Sequence, residues 1–163
     1  MNKLTNKLNS QKGQSGFTII EVLIVLAIGA LIILAVLLAV PALQRNNDNN
    51  TRKAEASRVA AAATAFLSDS NNTMPVSGDV SNLASRANIG SANTNAQFKN
   101  ATPILVITSQ TLPTTIASDQ LVLATGSKCS GATGLTASTG SIAVLYPIAG
   151  GAANSVGACI NAN

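Results

Sequence analysis

The chain has 163 residues, of which 10% are charged and 2% aromatic, with two cysteines and no histidine. That length leaves room for little more than one ordinary domain. Without histidine the usual general base and metal ligand is missing, and the six acids are scattered, so neither an enzyme nor a cofactor-binding protein is expected.

The net charge of +4 is uneven. Lys3, Lys7 and Lys12 all precede the first acid, Glu21. The remaining seven basic residues face six acids, so a product lacking residues 1–16 carries about +1 from its side chains. Such a balance demands no anionic partner. It argues against non-specific DNA binding, which draws its affinity from phosphate neutralisation.

After the polar, basic residues 1–16 comes Gly16-Phe17-Thr18-Ile19-Ile20-Glu21, and then an apolar run. From Val22 to Val40 no side chain is charged or strongly polar, and Ala42 and Leu43 extend the run past Pro41. A run of roughly 20 residues spans a bilayer core of about 30 Å, so residues 17–43 are read as a single transmembrane helix. A secretory signal is cut after its apolar core, at small residues. Here Pro41-Ala42-Leu43-Gln44-Arg45 leads into more helix-forming sequence. The candidate cut is instead at Gly16, which removes the basic head and leaves the apolar segment in place.

Glu21 is the one charge on the apolar side. A carboxylate at mid-membrane costs about 2.5–3.5 kcal/mol, and less near a helix end. A cut after Gly16 creates an amine on Phe17, four residues upstream and on the same helical face. That amine is a partner for Glu21 of its own chain or of a neighbour. The alternative is a carboxylate that reaches out to the membrane interface.

The run Lys12-Gly13-Gln14-Ser15-Gly16-Phe17-Thr18-Ile19-Ile20-Glu21-Val22-Leu23-Ile24-Val25-Leu26-Ala27-Ile28 resembles the start of a type IV pilin. The resemblance covers about residues 12–43. It implies a prepilin peptidase that cuts between Gly16 and Phe17 and methylates Phe17. It also implies a role for Glu21 in neutralising the N-terminus of an adjacent subunit and setting axial register. Pro41 falls about one turn later than the family's first helix proline, so details of filament packing do not carry over.

Pro41 removes an N–H and crowds the preceding turn, which predicts a kink rather than an end. The polar run Arg45 to Asn50 is a weak helical segment, either a break or a frayed turn, although Asp48 and Arg52 are spaced for continuity. From Arg52 to Leu67 the helix is amphipathic. Ala56, Val59, Ala60, Ala63, Phe66 and Leu67 share one face, and Lys53, Ser57, Thr64 and Ser68 the other. Residues 44–70 are therefore expected to dock on a sheet. Residues 71–163 form the head. A short helix is expected over Asp79–Ala87, with Asp79 as its N-cap and Gly90 near its end. Strands are expected at 104–107, 120–124, 141–146 and near 156–160. The intervals are too short for helical crossovers, which predicts an antiparallel sheet.

Cys129 and Cys159 suggest one disulfide in an oxidising compartment, or two buried thiols. The Asn-x-Thr triplets at Asn71 and Asn100 are expected by chance in so Asn- and Thr-rich a chain. The whole is an α+β chain: a long N-terminal helix, half membrane and half amphipathic, packed on a small antiparallel sheet. That layout resembles a pilin with its disulfide-closed C-terminal loop.

The resemblance implies a precursor in the cytoplasmic membrane, leader inside, and then an extracellular homo-oligomeric filament. Its partners would be the prepilin peptidase, the assembly machinery of the inner membrane, and lipid before assembly. Adhesion, twitching motility and DNA uptake are the roles it allows, DNA being the least supported. A minor pilin, a type II secretion pseudopilin and a single-span anchor carrying a binding module are the alternatives.

Overall fold

A computed structural model describes residues 16–113, 116–151 and 156–163. The expected leader lies, except for Gly16, outside the described residues. The chain divides into one unit ending at Val40 and another running from Pro41 to Asn163. A single helix, α1 (Ile19–Asp69), belongs to both.

In the first unit every residue from Val22 to Val40 except Gly29 is exposed. Isoleucine, leucine and valine project all around the helix and nothing in the unit covers them. A helix apolar on every side is a membrane segment or a buried core element. By length and composition α1 is able to cross a bilayer.

In the second unit α1 continues through Pro41 and through the polar run 45–50. Of the two alternatives for that run the break is absent, and the continuity for which Asp48 and Arg52 are spaced holds; contacts with the head override poor local propensity. Asn49 Oδ1 accepts the Ala149 N–H at 2.6 Å, and the Arg45 side chain lies against Gly150. The guanidinium of Arg52 donates through Nη1 to the carbonyls of Ser118 and Pro147 and sits 5.7 Å from the centre of the Phe98 ring.

Further along α1, Ala56, Val59, Ala60, Ala62, Ala63 and Leu67 are buried and Phe66 is partly so. This is the expected face, widened by Ala62. The side chains are mostly alanine, so this face of the helix presents little bulk to the sheet.

After a turn comes α2 (Val80–Ala87), preceded by a single helical turn at Ser77–Asp79. Asp79 occupies the N-cap position, but its carboxylate accepts the Val76 N–H at 2.9 Å and makes no cap bond to α2. The helix ends at Asn88, not at Gly90. Asn88 is left-handed (φ 53°), and its N–H reaches the carbonyls of Ala84 and Ser85.

The sheet holds β1 (Ile104–Ile107), β2 (Leu121–Ser130), β3 (Gly134–Tyr146) and β4 (Ala158–Asn161), in spatial order β1-β2-β3-β4. It is mixed. β2, β3 and β4 pair antiparallel as expected, but β1 pairs parallel to β2, with Ile104 opposite Leu121 and Ile107 opposite Ala124. The expectation of a wholly antiparallel sheet is therefore corrected. A parallel pair needs a connection of a dozen residues or more, usually but not necessarily a helix. The stretch from Thr108 to Gln120 is long enough without one.

That stretch also covers the sheet. One face, bearing Leu121, Leu123, Ile142, Val144 and Tyr146, packs on α1 and α2 together with Phe98 and Leu83. The opposite face, bearing Val122, Ala124, Ala143 and Leu145, is closed by Ile116 and Leu112 from the connection.

β2 and β3 run well beyond their expected ends into the Gly/Ser/Thr-rich region. Register shifts where Thr125 pairs with Ile142 but Ser127 pairs with Ala137, so four residues of β3 face Gly126 alone. Gly126 (φ 68°) and Gly140 (φ 78°) take the backbone angles this bulge requires. Beyond it the hairpin brings Cys129 and Leu135 onto the second face, beside Cys159 and Val156.

Candidate functional site

The two ends of the chain carry the residues singled out by sequence, and the structure builds each from local chemistry.

At the N-terminal end Phe17 is 88% exposed, and α1 begins two residues later. Thr18 and Glu21 close a reciprocal cap. The Thr18 N–H donates to Glu21 Oε2 at 2.8 Å, the Thr18 hydroxyl donates to the same oxygen at 2.8 Å, and the Glu21 N–H donates to Thr18 Oγ1 at 3.3 Å. This is the Ser/Thr-x-x-Glu arrangement that satisfies orphan amides at a helix start. Its negative charge also lies at the positive end of the helix dipole.

The sequence alone offers Glu21 a terminal ammonium or the membrane interface. The structure shows that Thr18 supplies hydrogen bonds to it within the chain. Both donors meet Oε2, and Glu21 borders a niche lined by Phe17, Val22, Val25 and Leu26. Thr18 was missed as a functional residue, although Thr18-x-x-Glu21 was the signal that would have found it.

At the C-terminal end Cys129 and Cys159 form a disulfide, with their Cα atoms 5.8 Å apart. This decides between the two readings left open by their spacing. Around it, asparagine side chains stand in for strand backbone. Asn161 Oδ1 accepts the Cys129 N–H at 2.8 Å. Asn163 Oδ1 accepts the Ile142 N–H at 2.9 Å, and its Nδ2 donates to the Gly140 carbonyl at 2.8 Å, which pins the bulge.

Sequence reasoning also missed Glu55. It is 2% exposed, in the middle of the helix face that meets the head. Its carboxylate accepts the N–H groups of Gln97 (2.9 and 3.0 Å) and Phe98 (3.0 Å). Arg58, at the edge, lies 4.0 Å from the carboxylate and donates through Nε to the Ala87 carbonyl at 2.9 Å. Burying a carboxylate requires such partners. The signal was the spacing Glu55, Val59, Ala62 and Phe66, which continues the apolar stripe sideways. On the sheet, burial pushes the Tyr146 phenol above its usual value of 10.0.

A capped apolar helix able to cross a membrane, leading into a disulfide-closed α+β head, is an architecture consistent with the pilin fold. Residues 11–37 match the family model described as the prokaryotic N-terminal methylation motif, the class III signal peptide of type IV pilin-like proteins. The motif supports a type IV pilin-like or pseudopilin precursor. It implies processing by a prepilin peptidase and assembly into pilus-like filaments, and the proteins that carry it are structural rather than enzymatic. No curated protein and no solved structure matches the chain.

Proposed function

We propose that the chain is a structural subunit of a type IV pilus filament. It waits in the cytoplasmic membrane as a single-pass precursor. It is cut between Gly16 and Phe17, methylated on Phe17, and assembled through α1. The observation that carries this reading is the methylation motif at the start of a helix whose bulky aliphatic side chains from Ile19 to Leu43 are all exposed.

In lipid such a helix has no hydrophobic drive to associate, so helix packing depends on close approach. Ala27, Gly29, Ala30, Ala35 and Ala39 provide small positions for it. Glu21 sets the axial register by pairing with a Phe17 amine. Thr18 supports that role by occupying one carboxylate oxygen, so that Oε1 is the atom left for the ammonium. The head lies outside the cytoplasm, and its disulfide fits an oxidising compartment.

The test is mass spectrometry of the N-terminus together with electron microscopy of sheared surface material. A methylated Phe17 at the N-terminus and fibres made of this chain are expected. A product that still begins at Met1, without fibres, refutes the reading and leaves a tethered binding module. Glu21→Ala is expected to leave cutting intact and abolish fibres; normal fibres from it refute the register role alone.

A further inference from the structure

The three Asn-x-Thr triplets differ in the folded chain. In Asn49-Asn50-Thr51 the asparagine is half-buried within α1, and its Oδ1 accepts the Ala149 N–H at 2.6 Å. In Asn100-Ala101-Thr102 the asparagine is half-buried. Its Oδ1 accepts the Thr102 N–H at 3.2 Å, and its Nδ2 donates to Asp119 Oδ1 at 3.4 Å. Both ends of that amide are used to shape the loop before β1.

Asn71-Asn72-Thr73 stands on the turn that ends α1, and all three residues are exposed. The backbone is left-handed at Asn71 (φ 52°) and again at Asn72 (φ 65°), a conformation asparagine tolerates better than most residues. The turn is held by main-chain bonds, from the Asn72 N–H to the Leu67 carbonyl at 2.8 Å and from the Thr73 N–H to the Ser70 carbonyl at 3.0 Å. Its shape therefore depends on backbone groups, and the Asn71 carboxamide projects from it to solvent. No proline interrupts the triplet, and Pro75 lies beyond it.

We infer that Asn71 is an N-glycosylation acceptor and that Asn49 and Asn100 are not. The donor class is a sugar linked through pyrophosphate to a membrane lipid. Asn71 Nδ2 forms a bond to the anomeric carbon. The bond from that carbon to the pyrophosphate oxygen breaks, and the lipid pyrophosphate leaves with the electron pair. One amide proton passes to a carboxylate of the transferase. The Thr73 hydroxyl, two residues on, is the group by which the transferase reads the acceptor. A glycan here covers the C-terminal end of α1 with hydroxyl groups, on a turn whose side chains are exposed.

The inference rests on the reading that the head lies outside the cytoplasm. The test is the intact mass and peptide fragmentation of the full chain isolated from its own cells. Proteolysis of intact cells and the thiol content of Cys129 and Cys159 are measured alongside. A mass above that of the polypeptide is expected, carried on the peptide containing Asn71. Asn71→Gln removes all of the added mass and Asn100→Gln none of it. Thr73→Ala abolishes it and Thr73→Ser retains it at least in part. The unmodified mass, or sugar on Asn49, on Asn100 or on a hydroxyl, in a protease-accessible and oxidised head overturns the inference alone. A protected head with free thiols overturns it together with the orientation.

Discussion

Helix α1 holds two carboxylates among apolar neighbours, and its two stretches treat them in opposite ways. Glu21 is satisfied by Thr18, three residues away, on a helix whose side chains meet nothing else in their unit. Glu55 is satisfied by Gln97 and Phe98, more than forty residues away, in the centre of a packed core. The first stretch is finished as local structure and empty as tertiary structure. The second depends on distant contacts at almost every turn. Hydrophobicity does not separate them, because the more apolar stretch is the exposed one. Side-chain size does. Alanine presents little bulk to the sheet, whereas rings of leucine, isoleucine and valine are left for lipid or other helices.

If the head depends on long-range contacts, the largest stability effect belongs to its covalent one. Replacing Cys129 and Cys159 by serine opens a loop with a sequence separation of 30. The expected loss is roughly 3–4 kcal/mol in the chain-entropy model. Denaturant unfolding followed by the fluorescence of Tyr146, the only tyrosine in a chain without tryptophan, measures it. A loss below about 1 kcal/mol would mean that the hairpin holds to the sheet without its bridge.

Glu55→Ala comes next, at about 3 kcal/mol, because it strands the part-buried N–H of Gln97 and the buried N–H of Phe98. Glu55→Gln keeps an acceptor oxygen, so its loss is expected to be smaller. Equal losses from the two substitutions would break the claim that hydrogen bonds hold Glu55.

Thr18→Ala tests the local stretch. It removes one side of the cap, worth about 1 kcal/mol, which speeds amide exchange over the first helical turn about fivefold. The head should unfold unchanged. A shift in its unfolding midpoint would show that the two stretches are not independent.

The smallest effect is at Tyr146, whose phenol burial holds above 10.0. A raised folded pKa means that the folded state keeps its proton longer than the unfolded one. Its contribution to stability is therefore complete below pH about 10 and is lost as the pH rises through the folded value. Ultraviolet titration of this single phenol in the folded chain should give a midpoint above 10.0; one at or below 10.0 would contradict its burial.

These contrasts also explain what the sequence could say. Local patterns read well. Ile104–Ile107 is bounded as expected, because Pro103 precedes its four consecutive aliphatics and the polar run Thr108-Ser109-Gln110 follows them. The face from Ala56 to Leu67 followed from helical spacing. Thr18 was equally local and equally legible, since Thr18-x-x-Glu21 is a capping box whatever charge partner Glu21 takes. What stayed hidden depends on partners far along the chain. Thr125–Ser130 and Gly134–Gly140 have no hydrophobic alternation, and they are strands because they pair with each other. Parallel pairing of β1 and β2 turns on where Leu112 and Ile116 find cover. Glu55 reads as a solvent-facing residue until the backbone of Gln97 and Phe98 is placed over it.

Strand order in the sheet follows chain order, and this bears on how the head is delivered. A head that emerges in chain order presents β1, then β2, β3 and β4, each beside the strand already in place. No strand has to wait for a distant one with its edge open to a neighbouring copy, which limits the exposure that makes slow-forming sheets prone to aggregate. Cys129 meets its disulfide partner only at the last strand, so the bridge closes a sheet whose other strands are already paired.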